Sequence, residues 1–371
     1  MPTISYLTRI EFDYGAVSKV ADLAKEIGMK SPFIVTDRAL VELGMHRKVT
    51  DQFGEDLAVF EETPSNPTEA SILAATAEYK RAGCDGIIAI GGGSPLDLAK
   101  GVRLLTGHEL PLAQYAAVEG GVAKIHGNIC PMIAIPTTSG TGSEVGRASV
   151  VIMEDGRKLG VLSPHLLPSI AVCDPELTLG LPPILTAATG MDALSHCLET
   201  YMGVANNAPA DAIAIDGLMK CVGALETAVK DGSDRQARWD MMMAALEGAM
   251  AFQKGLGAVH SLSHPLGAIK ELNLHHGTLN AILMPAVLRF NKPVIGEKWN
   301  TFAQVFARDD VDQAVEELSQ AIGLPSRLRY LGVTEAMLPG VAESAMKDHC
   351  HLTNPRTASA EEYLEILKEA W

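Results

Sequence analysis

A chain of 371 residues is long enough for about two domains, and a hydrophobic content of 47% with 20% charged residues excludes a disordered protein. The formal net charge of −15 argues against a nucleic-acid or anionic-membrane partner, because both carry negative charge themselves. The opening stretch lacks the features of a signal peptide, no run is apolar enough for a membrane span, and the six cysteines form no CxxC pair, so we expect a reduced, cytoplasmic protein.

The first half of the chain alternates strand-like and helical patterns. Short β-branched runs that end in Gly, Asp, Ser or Thr occupy 32–37, 85–93 and 131–142. Helical patterns at 69–83 and 94–107 lie between them. This alternation predicts a parallel sheet in a domain over residues 1–181, with ligands at the carboxyl ends of the strands.

Two glycine-rich loops follow these strands. "IIAIGGGSPLDLAK" places three glycines and Ser94 between a strand and a helix, where backbone N–H groups can approach a phosphate. It is neither a GxGxxG fingerprint nor a Walker A loop, and a plain tight turn is the alternative. The second loop, "PTTSGTGSE", adds the hydroxyls of Thr137, Thr138, Ser139 and Thr141. Two such loops in one sheet favour a bound nucleotide.

Asp37 ends the run "FIVTD". An acid at this place can accept hydrogen bonds from ribose hydroxyls and repel a 2′-phosphate. It can equally serve as the N-cap of the next helix. The sequence leaves both interpretations open.

From about residue 181 helical patterns dominate. The paired prolines of "LPPILTAATG" mark the change, and apolar residues recur three and four apart at 208–229 and 358–370. Strand-like runs become scarce. We therefore predict an all-helical domain over residues 182–371.

Histidines and one acid recur at helical spacing in this second domain. Asp192 and His196 are four residues apart, as are His260 and His264, and "HH" at 275–276 precedes a new helical pattern. A lone histidine on an apolar face is usually a hydrogen-bonded core residue. The convergence of several favours a divalent metal instead, and three imidazoles with one carboxylate suit Fe²⁺, Zn²⁺, Co²⁺ or Ni²⁺.

Five motifs in order resemble the iron-containing, or group III, alcohol dehydrogenases. They are "GGGSPLDLAK", "IPTTSGTGSEV", "ATGMDALSHCLE", "GAVHSLSHPLGA" and "HHGTLNAILMP". "NPR" at 354–356 and the closing tryptophan are similar to the lactaldehyde reductase branch. The resemblance implies NAD in a cleft between a Rossmann-like domain and a helical domain, and a homodimer or larger homo-oligomer.

The resemblance also implies roles for individual residues. The metal, Fe²⁺ or another divalent ion such as Zn²⁺, would be held by Asp192, His196, His260 and His276. His264 would lie near the nicotinamide as a member of a proton relay, and His275 is a rival ligand beside His276. Cofactor contacts would come from Asp37, Asn66, Gly92, Gly93, Ser94, Thr137, Thr138, Thr141 and Lys158.

The expected activity is reversible hydride transfer between a small primary alcohol, or its aldehyde, and NAD. A metal-dependent lyase like dehydroquinate synthase is an alternative, although we find no Lys/Arg cluster in the helical domain for its phosphorylated substrate. A non-enzymatic metal-binding scaffold is a third. Lys254 and Arg147 flank the predicted cleft and would suit an acidic aldehyde such as succinic semialdehyde, unless both pair with nearby acids.

Overall fold

The computed structural model describes residues 8–54 and 56–371. About half of the opening stretch, which was expected not to be a signal peptide, lies outside the described residues. By their contacts, the described residues up to 138 together with 142–178 form one unit, here called the sheet unit. Residues 139–141 and 179–371 form the other, the helical unit. The division after Thr178 lies close to the predicted one at residue 181.

The sheet unit is built on six parallel strands in the order β1-β8-β5-β4-β2-β3. The strands of the unit are β1 Arg9–Phe12, β2 Pro32–Val35, β3 Val59–Phe60, β4 Gly86–Gly91, β5 Met132–Pro136, β6 Ala148–Ile152, β7 Lys158–Leu162 and β8 Ile170–Cys173. The predicted parallel sheet is thus confirmed. The antiparallel hairpin of β6 and β7, which lies outside that sheet, was not predicted.

Helices cover both faces of this sheet. They are α1 Val20–Glu26, α2 Arg38–Glu42, α3 Arg47–Thr50, α4 Glu69–Arg81 and α5 Gly93–Leu104. Along β4, Ile87 and Ala89 pack into one apolar cluster with α4 and α5. Ile88 and Ile90 pack into a second cluster with α1. Because successive strand residues point to opposite faces, a strand buried on both sides has the continuous apolar run seen in the sequence.

The helical unit contains nine α-helices and no strand among its described residues. They are α6 Pro183–Met202, α7 Ala208–Lys230, α8 Arg235–Ala251, α9 Ala258–Gly267, α10 His276–Ile295, α11 Glu297–Phe306, α12 Val311–Ala321, α13 Leu338–Ala345 and α14 Ala360–Ala370. Within the described residues, none of the chain's helices combines the length and apolarity needed to cross a membrane. Helix α6 is buried without interruption from Thr186 to Thr200, with α7, α8 and α10 packed around it. It is the core helix of the unit, and it carries the first residues of the site.

Candidate metal centre and cofactor loops

Helix α6 presents Asp192 and His196 on one buried face. Both side chains are almost fully buried, and His196 Nε2 lies 3.6 Å from Asp192 Oδ1. The spacing of four residues places them one turn apart, as the sequence predicts. Polar side chains in the centre of a core helix need partners, and these come from α9 and α10.

Two further imidazoles meet the same carboxylate oxygen. Asp192 Oδ1 lies 3.8 Å from His260 Nε2 on α9 and 3.7 Å from His276 Nε2 at the start of α10. The Asn280 amide donates to that oxygen over 2.8 Å. The four residues proposed as metal ligands are therefore grouped around a single point. His276 is the most exposed of them, at 29% of its side chain, so the group opens to solvent on that side.

A glycine allows α10 to come this close. A Cβ on Gly277 would lie 2.0 Å from the Ala188 carbonyl oxygen on α6 and 3.3 Å from Asp192 Cβ. No side chain fits there. Close backbone contact between α6 and α10 brings His276 next to Asp192, one residue from the contact.

Glu199, also on α6, orients His260. Its Oε2 accepts a hydrogen bond from His260 Nδ1, and its Oε1 accepts one of 2.7 Å from the Val259 N–H. With Nδ1 protonated and bound in this way, the lone pair of His260 is on Nε2, which faces Asp192. Burial raises the pKa of Glu199 to about 7, although its N–H donors oppose the shift. Glu199 was not predicted from the sequence, although it lies three positions after His196.

The start of α9 is fixed by a second amide. Asn354 Oδ1 accepts a hydrogen bond of 3.1 Å from the Ala258 N–H, and Asn354 also pairs with Asn291. A Cβ on Gly257 would lie 2.7 Å from Asn354 Oδ1 and 3.0 Å from Glu199 Oε1. The "NPR" motif thus contributes a cap for the helix that carries His260.

Burial keeps the imidazoles of His196 and His260 neutral. It lowers the pKa of His196 to about 4 and that of His260 to about 3, against the opposing charge of Asp192. Neutral imidazole nitrogens and a carboxylate oxygen are the donors that Fe²⁺ and Zn²⁺ bind. The donor set therefore fits a divalent metal of that class. His275, the rival ligand, is exposed, whereas His276 is half-buried and its Nε2 lies 3.7 Å from Asp192 Oδ1.

His264 lies beside the four residues without facing Asp192. Its Nδ1 is 2.8 Å from Asp348 Oδ2, and its ring centroid is 5.5 Å from that of His276. Burial alone would raise the pKa of Asp348, but the charge of His264 and its hydrogen bond lower it below the usual range. Asp348 was not identified from the sequence, because nothing in the chain's spacing links it to a histidine 84 positions earlier.

The two glycine loops lie at the carboxyl ends of neighbouring strands. Gly91 of β4 is paired with Pro136 of β5, and a Cβ on Gly92 would lie 3.4 Å from the Thr138 side chain. Gly92 is the N-cap of α5, and no side chain caps that helix. Its first N–H groups are therefore suited to a phosphate. Ser94, in the first turn, donates its hydroxyl to the Ser65 carbonyl over 2.5 Å.

A buried network supports the second loop. Lys100 on α5 donates to Ser143 Oγ over 2.7 Å and to the Ala148 carbonyl over 2.8 Å, and Asp97 accepts from Ser143 and Val150. Burial lowers the pKa of Lys100 to about 8. The charged residues of "SPLDLAK" thus connect α5 to the segment that follows "TTSGTG". Thr141, within "TTSGTG" itself, belongs by its contacts to the helical unit.

The remaining predicted cofactor residues also have local partners. Asp37 caps α2, its Oδ1 accepting from the Leu40 N–H over 3.0 Å, as the alternative interpretation proposed. It is only half-buried and follows the end of β2, so a ribose role stays a prediction. Lys158 Nζ donates to Asn66 Oδ1 over 2.9 Å, which places these two predicted contacts together.

Lys254 does not provide a free cation. Its side chain is fully buried, forms an ion pair with Asp211 and donates to the Tyr201 carbonyl over 3.3 Å. The hypothesis that Lys254 holds an anionic substrate is therefore wrong. The buried ammonium group needs Asp211 to offset its desolvation, so it is already paired within the protein. Arg147 is half-buried, and no acid in the described part of the chain forms an ion pair with it.

Comparison with known proteins gives a consistent result over the whole chain. Residues 8–175 match the family described as iron-containing alcohol dehydrogenase, and residues 186–371 match the C-terminal part of the same family. A 4-hydroxybutyrate dehydrogenase of Cupriavidus necator is 52% identical over 100% of both chains. The lactaldehyde reductase of Escherichia coli K12 is 36% identical over 97% of each. The solved structure of a sulfoacetaldehyde reductase from Bifidobacterium kashiwanohense in complex with NAD⁺ superposes with a TM-score of 0.90 at 26% identity, covering 100% of this chain and 98% of the other.

Proposed function

The chain belongs to the iron-containing alcohol dehydrogenase family, and we propose that its substrate pair is 4-hydroxybutyrate and succinic semialdehyde. It is a metal-dependent, NAD-linked oxidoreductase of small alcohols and aldehydes, and the dehydrogenases and reductases among its relatives give the lyase alternative no support. The observation that carries the substrate proposal is the 52% identity to a 4-hydroxybutyrate dehydrogenase over the full length of both chains.

Asp192, His196, His260 and His276 are proposed to hold the Fe²⁺. When bound, the metal acts as a Lewis acid toward the substrate oxygen, and NAD accepts or donates the hydride. Glu199 supports this arrangement by holding His260 in the tautomer whose Nε2 faces Asp192.

His264 is proposed to carry the alcohol proton. Asp348 holds its Nδ1, so the negative charge of Asp348 stabilises the imidazolium that forms when His264 takes up a proton. The His264 side chain is 12% exposed, which leaves a route for the proton to solvent. The proton therefore leaves through a histidine that is not one of the four proposed iron ligands.

Arg147 is the remaining candidate for the substrate carboxylate. It ends the loop that begins at Thr137, and its guanidinium forms no ion pair among the described residues. Loss of a charge-assisted hydrogen bond costs about 1.5–3 kcal/mol, which corresponds to roughly 10- to 150-fold in binding. We therefore expect Arg147→Gln to raise KM for succinic semialdehyde by about that factor and to leave KM for butanal unchanged.

The experiment compares steady-state reduction of succinic semialdehyde and butanal by the Fe²⁺-loaded enzyme with NADH. Lys254→Met is the matched control, since it removes a cation that is already neutralised by Asp211. It should lower the melting temperature and keep the ratio of the two KM values. Equal KM values for both aldehydes in the unmodified enzyme would refute the substrate proposal. A preference for the acid that survives Arg147→Gln would refute only the role of Arg147.

We also propose a cytoplasmic location and a homodimer or larger homo-oligomer. All six cysteines are free thiols, as expected in a reducing compartment. Large apolar side chains such as Leu43, Val204 and Leu352 are 65–81% exposed, and contact between copies would cover such surface. Light scattering of the purified protein tests the assembly, and a monomer at micromolar concentration would contradict it.

A further inference from the structure

A second group of metal-binding side chains lies beside the first, around the turn that follows α13. It consists of His264, Asp348, His349 and Cys350, each of which offers one ligand atom within 4.8 Å of the others. His264 Nδ1 is 2.8 Å from Asp348 Oδ2, His349 Nδ1 is 3.6 Å from Asp348 Oδ1, and Cys350 Sγ is 3.4 Å from His349 Nε2. None of these side chains belongs to the four-residue group around Asp192.

With one ligand atom taken from each side chain, the four atoms lie within 4.8 Å of one another, which can be compared with the spacing in a tetrahedral zinc site. Zn–N bonds of about 2.0–2.1 Å and Zn–S bonds of about 2.3 Å place neighbouring ligand atoms about 3.3–3.8 Å apart. Two imidazoles, one carboxylate and one thiolate are also the ligand types that zinc prefers, and the thiolate favours zinc over harder ions. The rings of His264 and His349 are nearly parallel, 19° apart with centroids separated by 5.7 Å, so the two imidazoles lie side by side.

We propose that His264, Asp348, His349 and Cys350 form a second metal site for a thiophilic divalent cation such as Zn²⁺. The ion would be bound next to the catalytic metal, without replacing it. An ion held there occupies His264 and removes it from proton transfer, so the enzyme is reversibly inhibited. This consequence rests on the role proposed for His264, whereas the site itself does not.

Charge balance permits two ions so close together. Burial raises the pKa of the Cys350 thiol, so its proton must be released to solvent when the ion binds. The second site then contributes one carboxylate and one thiolate, which together neutralise a divalent cation. The ion and its ligands together therefore carry no net charge, and their repulsion of the first metal is small. An ion from solvent can reach the site through His349, whose side chain is 36% exposed, whereas Cys350 is buried.

The test is a titration of the Fe²⁺-loaded full chain with Zn²⁺, followed by removal of unbound metal and elemental analysis. One iron and one zinc per chain are expected. Co²⁺ in place of Zn²⁺ should give a thiolate-to-cobalt charge-transfer absorption, which requires the cysteine. Zinc should also abolish turnover with the same dependence on concentration as its binding.

Variants identify the ligands. His349→Gln changes a partly exposed side chain and should weaken zinc binding by at least tenfold while retaining iron and basal turnover. Cys350→Ser should remove the cobalt absorption, and Cys84→Ser, at a half-buried thiol in the sheet unit, should keep it. If Cys350→Ser fails to fold, the zinc affinity of His349→Gln alone tests whether the second site exists.

Three results would overturn the proposal. Zinc could displace iron so that the total stays at one ion per chain, the second equivalent could fail to bind, or His349→Gln could bind zinc as tightly as the unmodified chain. Binding of a second ion without loss of turnover would overturn the inhibitory role. Since binding is read out by metal analysis, a different substrate would not affect this result.

Discussion

Gly277→Ala tests whether close contact of α6 and α10 creates the metal centre. The added Cβ would lie 2.0 Å from the Ala188 carbonyl oxygen, and real Cβ atoms do not approach closer than 3.0 Å. The obstacle is backbone, so no side-chain rotation relieves it. The two helices must therefore separate locally by about 1 Å.

That displacement acts directly on the ligands. His276 precedes Gly277, and its Nε2 lies 3.7 Å from Asp192 Oδ1 on the opposite helix. Functional sites tolerate about 0.5 Å of error, and misplacement by 1 Å costs on the order of 100-fold in rate. Overpacking itself costs about 1–3 kcal/mol of stability. We expect Gly277→Ala to lose most of its iron and about 100-fold in kcat, with a lower melting temperature.

The assays are elemental analysis, steady-state kinetics and thermal unfolding of the same preparation. Gly223→Ala is the matched control, because Gly223 lies inside α7 and a Cβ there meets no atom within 4 Å. That change should keep iron and activity and raise stability by about 0.5–1 kcal/mol. A Gly277→Ala enzyme with full iron content and full kcat would show that the helix contact does not position His276.

The other predictions concern single side chains. His276→Ala should remove most of the metal and the activity, whereas His275→Ala should retain both; the reverse result on elemental analysis would make His275 the ligand. Asp37→Ser keeps an N-cap for α2 but removes the charge. The preference for NADH over NADPH in initial rates should therefore narrow. Equal use of both cofactors by the unmodified enzyme would exclude Asp37 from this role. His264→Ala should retain iron and slow turnover by about 10²–10⁴-fold, and loss of iron in the same sample would instead make His264 a ligand.

Periodicity predicted the fold well because the strongest patterns belong to fully buried elements. The runs at 32–37, 85–93 and 131–142 each contain an uninterrupted apolar stretch, and these stretches form β2, β4 and β5 in the interior of the sheet. The edge strands, the hairpin and the short buried strand β8 were not recognised. Strand β3 is only two residues long, and β6 and β7 are partly exposed, so each has a weak apolar pattern.

Asp192 and His196 were recognised because they share a helix turn, and His260 because His264 lies one turn after it, whereas His276 was singled out by the resemblance to the family. The residues that orient these ligands were not recognised. Glu199 reaches α9 across the core, and Asp348 reaches His264 from the turn after α13, so each contact depends on tertiary packing. Lys254 was misassigned for the same reason. Its partner Asp211 is 43 residues away in the chain, and no local pattern shows that the cation is neutralised.

The acids of the helical core explain why a cation belongs there. Asp192 is buried among three imidazoles and one amide, and burial keeps two of those imidazoles neutral. Neither these two imidazoles nor the amide supplies a positive charge, whereas Asp211 has Lys254. Holding a carboxylate in such surroundings costs several kcal/mol unless an opposite charge is present. A divalent ion held at Asp192, as proposed, would supply that charge at the point where α6, α9 and α10 meet, so the ion proposed to serve catalysis would also stabilise the packing of these three helices.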